Sequence, residues 1–457
     1  MRIEGKILSF YKDLKNTKMN VINCIELILS EARKRDCQAD LLATQTKSTI
    51  VNARNFEIEK LEESLFSSIT FRLIKDKRVT SIRCDPSADV RRLVSQAYDA
   101  LAYIPENEYV SLPQNVAVVD DVYGTHTDHN FPDKLKELAI ETEQIAHSNG
   151  KLKTTETIEF GKKIIKKIVA NTNGFSGTFE NQLFSAVVSL VAENEGNLNA
   201  GYSYITSNSL KDLVPAELAA EAEKRATEGL KPQKVSTCKR EVIFDARCAS
   251  SFLNNFNSFL SGKSVTQSAT FLKSYMDKEI LPSSISIFNN PEGINCKIET
   301  PAFDDEGNYT TKRFPLIERG VLKNWILDQY NANKLGLQAN GFAKRTFSGS
   351  IFPSVTNIYL ESSDTYSERE LISRIKEGLY VTGLFSCGIN PITGDYSQGV
   401  QGLWIENGQL SFPVSEITIA GQLKDVFKEI IAANNIKFFG RANSPSLYLG
   451  FMSISGT

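Results

Sequence analysis

Three histidines, His126, His129 and His147, are the only imidazoles in the chain. Two of them fall in the run HTDH, where Asp128 puts a carboxylate beside two ring nitrogens. Zinc accepts such donors, but only when the backbone holds them in a tetrahedron. The run has no helical periodicity, so a solvated loop is the better reading of it. No HExxH occurs, and no GxSxG marks a nucleophile elbow. Partners of a Ser–His–Asp or Cys–His kind meet in space, so spacing alone leaves them open. Cys387 follows Ser386 and precedes a glycine. A reactive thiolate needs a nearby cation or a helix start, and nothing local supplies either. There is no GxxxxGKS/T and no GxGxxG ahead of a helix, so nucleotide binding has no motif behind it.

The stretch CGINPITGDYSQGVQGLWIENG, at 387–408, carries five glycines, a proline and several polar residues. NP and TGD are turn formers, and Gly388, Gly394, Gly399 and Gly402 allow close approach or a positive φ. LWIENGQLSFPV reads as a strand, an ENG turn and a second strand. Asp395 is expected to bond its own loop backbone. Locally this is a turn-and-hairpin unit. Asn390, Gly394, Asp395, Tyr396 and Ser397 are the residues it offers to a peptide cleft or a scaffold.

The elements around these residues follow from periodicity. Ile22, Ile25, Leu29 and Ala32 recur at helical spacing within 19–35. STIVNARNFEIEKLEE and SSITFRLIKDKRVTSIRC alternate and are rich in strand formers, with a hairpin break at KDKR. Helix returns at 88–104 through Val90, Leu93, Val94, Ala97, Ala100 and Leu101, and again at DKLKELAIETEQIAHS. Residues 154–210 read as strands with turns at NTNG and ENEGN. PAELAAEAEKRATEG, at 215–229, is a short charged helix. GLKPQK then sets a boundary near residue 234. This gives an N-terminal α+β domain at 1–234 and a β-rich C-terminal domain at 235–457. The second domain opens on the strand KREVIFD and closes on a helix around 422–434 and the strand SLYLGFMSIS. Helices and strands interleave without a βαβ period. The expected fold is therefore α+β, two domains of mainly antiparallel sheets with flanking helices.

Composition narrows the function. The 457 residues suffice for two or three cores. They are 41% hydrophobic and 23% charged, with a net charge of −2 and an isoelectric point near 6.1. A general nucleic-acid binder needs a basic surface, so no direct nucleic-acid partner is expected. The start, MRIEGKILSFYKDL, lacks the apolar run of a secretory signal. No window approaches the ~18 uncharged apolar residues of a membrane span, so no membrane partner is expected. Seven scattered cysteines, none in CxxC, read as reduced, buried thiols of a cytoplasmic protein.

The run GINPITGDYSQGVQGLWIENGQLSFPVSEITIAG resembles the C-terminal motif of the TldD/TldE (PmbA) family. The likeness continues through PSLYLGFMSISG, backward through REVIFDARCASSFLNNFNSFLSGKSV, and more loosely into the N-terminal strands and the helix at 88–104. It covers most of the chain, and the TGDYS and WIENG runs are similar to the TldE (PmbA) branch. The resemblance implies a cytosolic TldD–TldE metalloprotease in which the TldD branch carries HExxxH on a helix and holds zinc. It implies small or unfolded peptides as substrates, and with them the family's descriptions as a modulator of DNA gyrase and a processor of peptide antibiotics.

This chain departs from the HExxxH pattern. SGKSV and the flanking apolar residues place the family's first His at Asn254, its Glu at Asn255 and its second His at Phe259. An amide is a poor zinc ligand, Asn255 has no titratable oxygen to act as a base, and a phenyl ring has no lone pair. Phe252, Leu253, Phe256, Phe259 and Leu260 instead form one apolar helix face, with Gly262 placed to end the helix. The resemblance then implies no catalytic or metal residue in this chain, no cofactor of its own, and zinc in a TldD-type partner. The chain itself would be catalytically inactive alone, completing a chamber as part of a heterodimer. The alternative is a homodimeric peptide-binding or regulatory protein without protease activity. An enzyme using a thiol, or a metal at His126 and His129, is a third.

Overall fold

A computed structural model describes residues 18–122, 131–148, 150, 152–290 and 298–456. The HTDH run lies outside the described residues, as does Cys296.

The first half is built on one sheet. Helix α1 (Lys18–Lys34) leads into the long strands β1 (Gln38–Arg54) and β2 (Glu57–Lys75), then β3 (Arg78–Cys84) and α2 (Val90–Ala100). The short β4 (Val118–Val122), α3 (Phe131–His147), β5 (Leu152–Asn171), β6 (Ser176–Asn194), β7 (Asn197–Ser207) and α4 (Pro215–Glu228) follow. The strands order as β3-β2-β1-β5-β6-β4, with β7 also on β6. All pairings are antiparallel except β4 on β6.

Local chemistry explains the hairpins. Between β2 and β3, Asp76 (φ 48°) and Lys77 (φ 58°) both sit in the left-handed region, the geometry that matches strand twist in a two-residue turn. Asn55 (φ 56°) and Phe56 (φ 62°) do the same between β1 and β2. A phenylalanine there is strained. The buried Glu143 carboxylate of α3 offsets this by accepting the N–H groups of Asn55 (3.0 Å) and Phe56 (2.7 Å).

The four described helices, α1 to α4, lie on one face of this sheet. α1 and α2 cover one end, packing Ile25, Ile28 and Val94 on Leu41, Phe71 and Leu73. α3 and α4 cover the other, packing Leu135, Leu218 and Ala222 on Val51, Phe160 and Val188. The opposite face carries Leu42, Val169 and Phe179, which meet Phe303 of the second half.

The second half comprises β8 (Cys238–Phe244), α5 (Ala246–Asn254), α6 (Phe256–Phe259), α7 (Gly262–Thr266), β9 (Ile285–Asn289), β10 (Phe314–Glu318), β11 (Val321–Leu322) and α8 (Gln329–Leu335). Then come β12 (Ala343–Arg345), β13 (Ile351–Pro353), β14 (Ile358–Ser362), α9 (Glu368–Ser373), β15 (Glu377–Ile389), β16 (Asp395–Glu406), β17 (Gln409–Gln422) and α10 (Leu423–Glu429). β18 (Ile431–Ala432), β19 (Ala442–Asn443) and β20 (Leu447–Ser455) complete it. The larger sheet runs β17-β16-β15-β8-β20-β18, and β17 also bonds β20. That extra pairing closes five strands into a ring, which removes the free edges. β8 and β15 are parallel, the exception in this ring. A second sheet, β11-β10-β9-β14-β19, lies alongside. One large core joins the two through Phe252, Phe256, Phe259, Ile287, Leu379 and Phe427.

The fold is thus α+β with mostly antiparallel sheets and flanking helices. The halves meet through buried charges. Arg72 of β2 donates to Glu306 (2.8 Å), Lys167 of β5 to Asp305 (3.0 Å), and Arg345 pairs with Asp40 of β1 (3.0 Å).

Candidate functional site

Asp245 caps α5, its side chain accepting the N–H of Cys248 at 2.7 Å. From that fixed start α5 aims Phe252 and Leu253 into the core. It does not run unbroken to Gly262 as the apolar pattern suggested. It ends at Asn254, Asn255 intervenes, and the short α6 follows. Asn255 belongs to this break, since its Nδ2 donates to the carbonyls of Phe252 (3.0 Å) and Ser251 (3.3 Å). Gly262 opens α7 rather than ending α5. The reason is space, because a Cβ there would lie 2.6 Å from Leu327 Cδ2.

Asn254, Asn255 and Phe259, which the family resemblance sets against HExxxH, differ in surroundings. Asn254 is exposed and Asn255 half-buried, while Phe259 is fully buried. The Phe259 ring meets Phe271 at 5.4 Å and Phe256 at 5.7 Å. Phe427 of α10 closes the group, 5.2 Å from Phe256 and 5.9 Å from Phe271. Such ring pairs add about 0.5–1.5 kcal/mol each beyond their buried area. Two amides and a phenyl ring do not fit zinc. Among the described residues no group of three or more His, Cys, Asp or Glu side chains could hold a metal ion.

The glycine-rich motif is wrapped around the same aromatic group. The turn joining β15 to β16 accepts the Phe271 N–H at the Pro391 carbonyl (2.8 Å). Tyr396 is buried with its ring 5.7 Å from Phe252. Gly394 takes φ 81°, and a Cβ there would lie 2.6 Å from Gln422 Oε1 and 3.3 Å from the Phe271 ring. Asn390, Asp395 and Ser397 are exposed. The backbone bonding expected of Asp395 is made by Asn390, whose Oδ1 accepts the Ile392 N–H at 3.0 Å. Asp395 instead receives Thr393 Oγ1 and Gln422 Nε2 (3.1 Å). The structure therefore joins Tyr396 and Gly394 to the helix through phenyl rings and leaves the other three on the surface.

The remaining candidates have structural roles or lie outside the described side chains. His147 shares a hydrogen bond with Thr155 Oγ1 (3.0 Å) and sits edge-on to Phe56. His126, Asp128 and His129 lie outside the described residues, and so does the Cys387 side chain. Cys37, Cys84 and Cys248 are buried, and burial pushes the Cys84 thiol up to about 11. A cavity of about 260 Å³ lies where α4 meets the start of α5 and β15, and no local sequence pattern marks it. Its two arginines are engaged within the lining. Arg225 donates to Glu221 and Asp245, and Arg247 lies between the rings of Tyr204 (4.5 Å) and Phe439 (4.1 Å).

Residues 39–101, 126–230 and 237–456 match in turn domain 1, the central domain and the C-terminal domain of the PmbA/TldA metallopeptidases. Metalloprotease PmbA of Escherichia coli O157:H7 is 30% identical over 427 residues, covering 92% of each chain. The fold is shared with TldE of Thermococcus kodakarensis (TM-score 0.81, 19% identity, 95% of this chain and 100% of that one). A Thermotoga maritima protein described as a modulator of DNA gyrase is similar too (TM-score 0.82, 20% identity, 95% and 100%). With a relative of that identity spanning nearly the whole length, and all three domains matched in order, this chain belongs to the PmbA/TldD metallopeptidase family.

Proposed function

We propose that this chain is the non-metal, TldE/PmbA-like subunit of a cytosolic TldD–TldE metalloprotease that degrades or processes small or unfolded peptides. One observation carries the reading. Where the family resemblance aligns two histidines and a glutamate, Phe259 is locked among Phe256, Phe271 and Phe427, and Asn255 is bonded to its own helix. These groups cannot ionise a water or act as a general base at neutral pH. In this role the chain shapes the chamber and positions peptide for zinc held by the TldD-type partner. The exposed Asn254, Asn390, Asp395 and Ser397 supply donors and acceptors that suit an extended backbone, with little demand on its sequence. Gyrase modulation and peptide-antibiotic processing follow on this reading from the choice of peptide substrate.

The test is reconstitution. The purified chain is expected to cleave no unfolded peptide alone, to co-purify with a co-expressed TldD-type protein, and to raise that protein's chelator-sensitive peptidase rate. Failure to associate, together with a partner rate unchanged by this chain, rejects the reading.

A further inference from the structure

Strand β2 has 19 residues, but its outer neighbour β3 has only 7. Their ladder runs from Lys75↔Arg78 to Ile69↔Cys84 and stops. The next residues of the β3 strand are Asp85 and Pro86, and proline has no N–H to extend a ladder. The chain turns away into α2. From Glu57 to Ser68, β2 is therefore bonded on its inner side to β1, and among the described residues no strand pairs with its outer side.

Unpaired strand edges invite another strand, and most proteins blunt them with lysine, proline or a short length. This edge is long and carries Glu57, Glu59, Glu62 and Glu63 against the single Lys60. Apolar groups stand out along it, Leu61 at 46% exposure and Leu65 at 52%. Its inner end is bordered by a built platform. Phe66 and Phe347 stack at 6.1 Å, and the Arg83 guanidinium lies 3.4 Å from the Phe347 ring centre. Phe347 comes from the turn between β12 and β13, so the second half supplies one wall of the slot.

We propose that the outer edge of β2, from Glu57 to Ser68, is a docking site for a basic, extended peptide segment, which adds as a strand in the slot β3 vacates. Backbone pairing supplies the attachment, and alternate side chains read the edge's charge and apolar groups. Charge selects the occupant. A second copy pairing antiparallel about Leu61 would set Glu59 against Glu63 but Lys60 against Glu62, so repulsion and attraction offset and charge gains it nothing. A lysine-rich strand meets the same positions with opposite charge. This inference is independent of the subunit reading, because it concerns binding to the chain itself and not cleavage.

The test uses the full chain and two peptides of about ten residues, one alternating Lys and Val, the other Glu and Val. The basic peptide is expected to bind roughly tenfold or more tightly than the acidic one, and to weaken as salt rises. Hydrogen exchange is expected to show its protection at the amides of 57–68. The double substitution Glu59→Lys, Glu62→Lys should reverse the preference. If that variant does not fold, the wild-type peptide comparison and exchange map still decide. Equal binding of both peptides, protection confined to other strands, a folded variant that keeps the original preference, or concentration-dependent protection of 57–68 in the chain alone each overturn the proposal.

Discussion

At the scale of single residues, Phe259 and Gly394 carry the account, and both act by shape. Phe259 is 0% exposed and packs against three other rings, those of Phe256, Phe271 and Phe427. Phe259→Ala should therefore cost about 3–5 kcal/mol in a denaturant titration, the range for removing a buried aromatic ring. Gly394 sits at φ 81° against Gln422 and Phe271. Gly394→Ala should lose about 1–3 kcal/mol, since a side chain is strained at that φ and meets a neighbour as well. That Asn254, Asn255 and Phe259 offer no good zinc donor is a matter of residue type alone. The partners of Asn390 and Asp395 were not legible. Both are good turn residues, and which one bonds the backbone depends on Gln422, which reaches Asp395 from the end of β17. The helix break at Asn255 and the role of Gly262 were missed for a like reason, since Gly262 is dictated by Leu327, far along the chain.

At the scale of elements, hairpins were legible and closures were not. KDKR, NTNG and ENEGN mark turns found at Asp76–Lys77, between β5 and β6, and between β6 and β7, because those turns are set by two to four adjacent residues. The parallel pairing of β8 with β15 and the ring closed by β17 on β20 join segments far apart in sequence. No local period encodes them. The loop 304–308 is an element of the same kind, a run of acids whose purpose shows only against the first sheet. Burial works against the charge of Asp305. Lys167, Lys344 and the Arg345 N–H outweigh it, holding the carboxyl down at about 2. That lies below the ordinary aspartate value of about 3.9, so the unfolded chain takes up the proton first as pH falls. The stabilisation is whole above about pH 4 and is lost as pH falls through about 2. Asp305→Asn should cost about 2 kcal/mol of unfolding free energy at pH 7. The difference from the wild type should shrink between about pH 4 and pH 2 when denaturant titrations are repeated across that range.

At the scale of the whole molecule, every strand of the first sheet lies before residue 208, and every strand of the other sheets lies after 237. We propose the division near residue 234 as the domain boundary on that ground, with buried ion pairs rather than a continuous sheet joining the parts. Removing one partner from such a pair is costly because the other charge stays buried. The seam is thereby specific to this docking of the halves, and it holds the β12–β13 turn against β2 and the aromatic-filled helix in the second half. The central claim is that this second half retains the shape of a metallopeptidase domain while its aligned helix has been given over to packing. Metal analysis of the purified chain, alone and then in complex with a TldD-type partner, tests it most directly. The isolated chain is expected to hold no stoichiometric zinc, and the complex to hold zinc that is lost when the partner's histidines are replaced. Stoichiometric zinc retained by the isolated chain would contradict it.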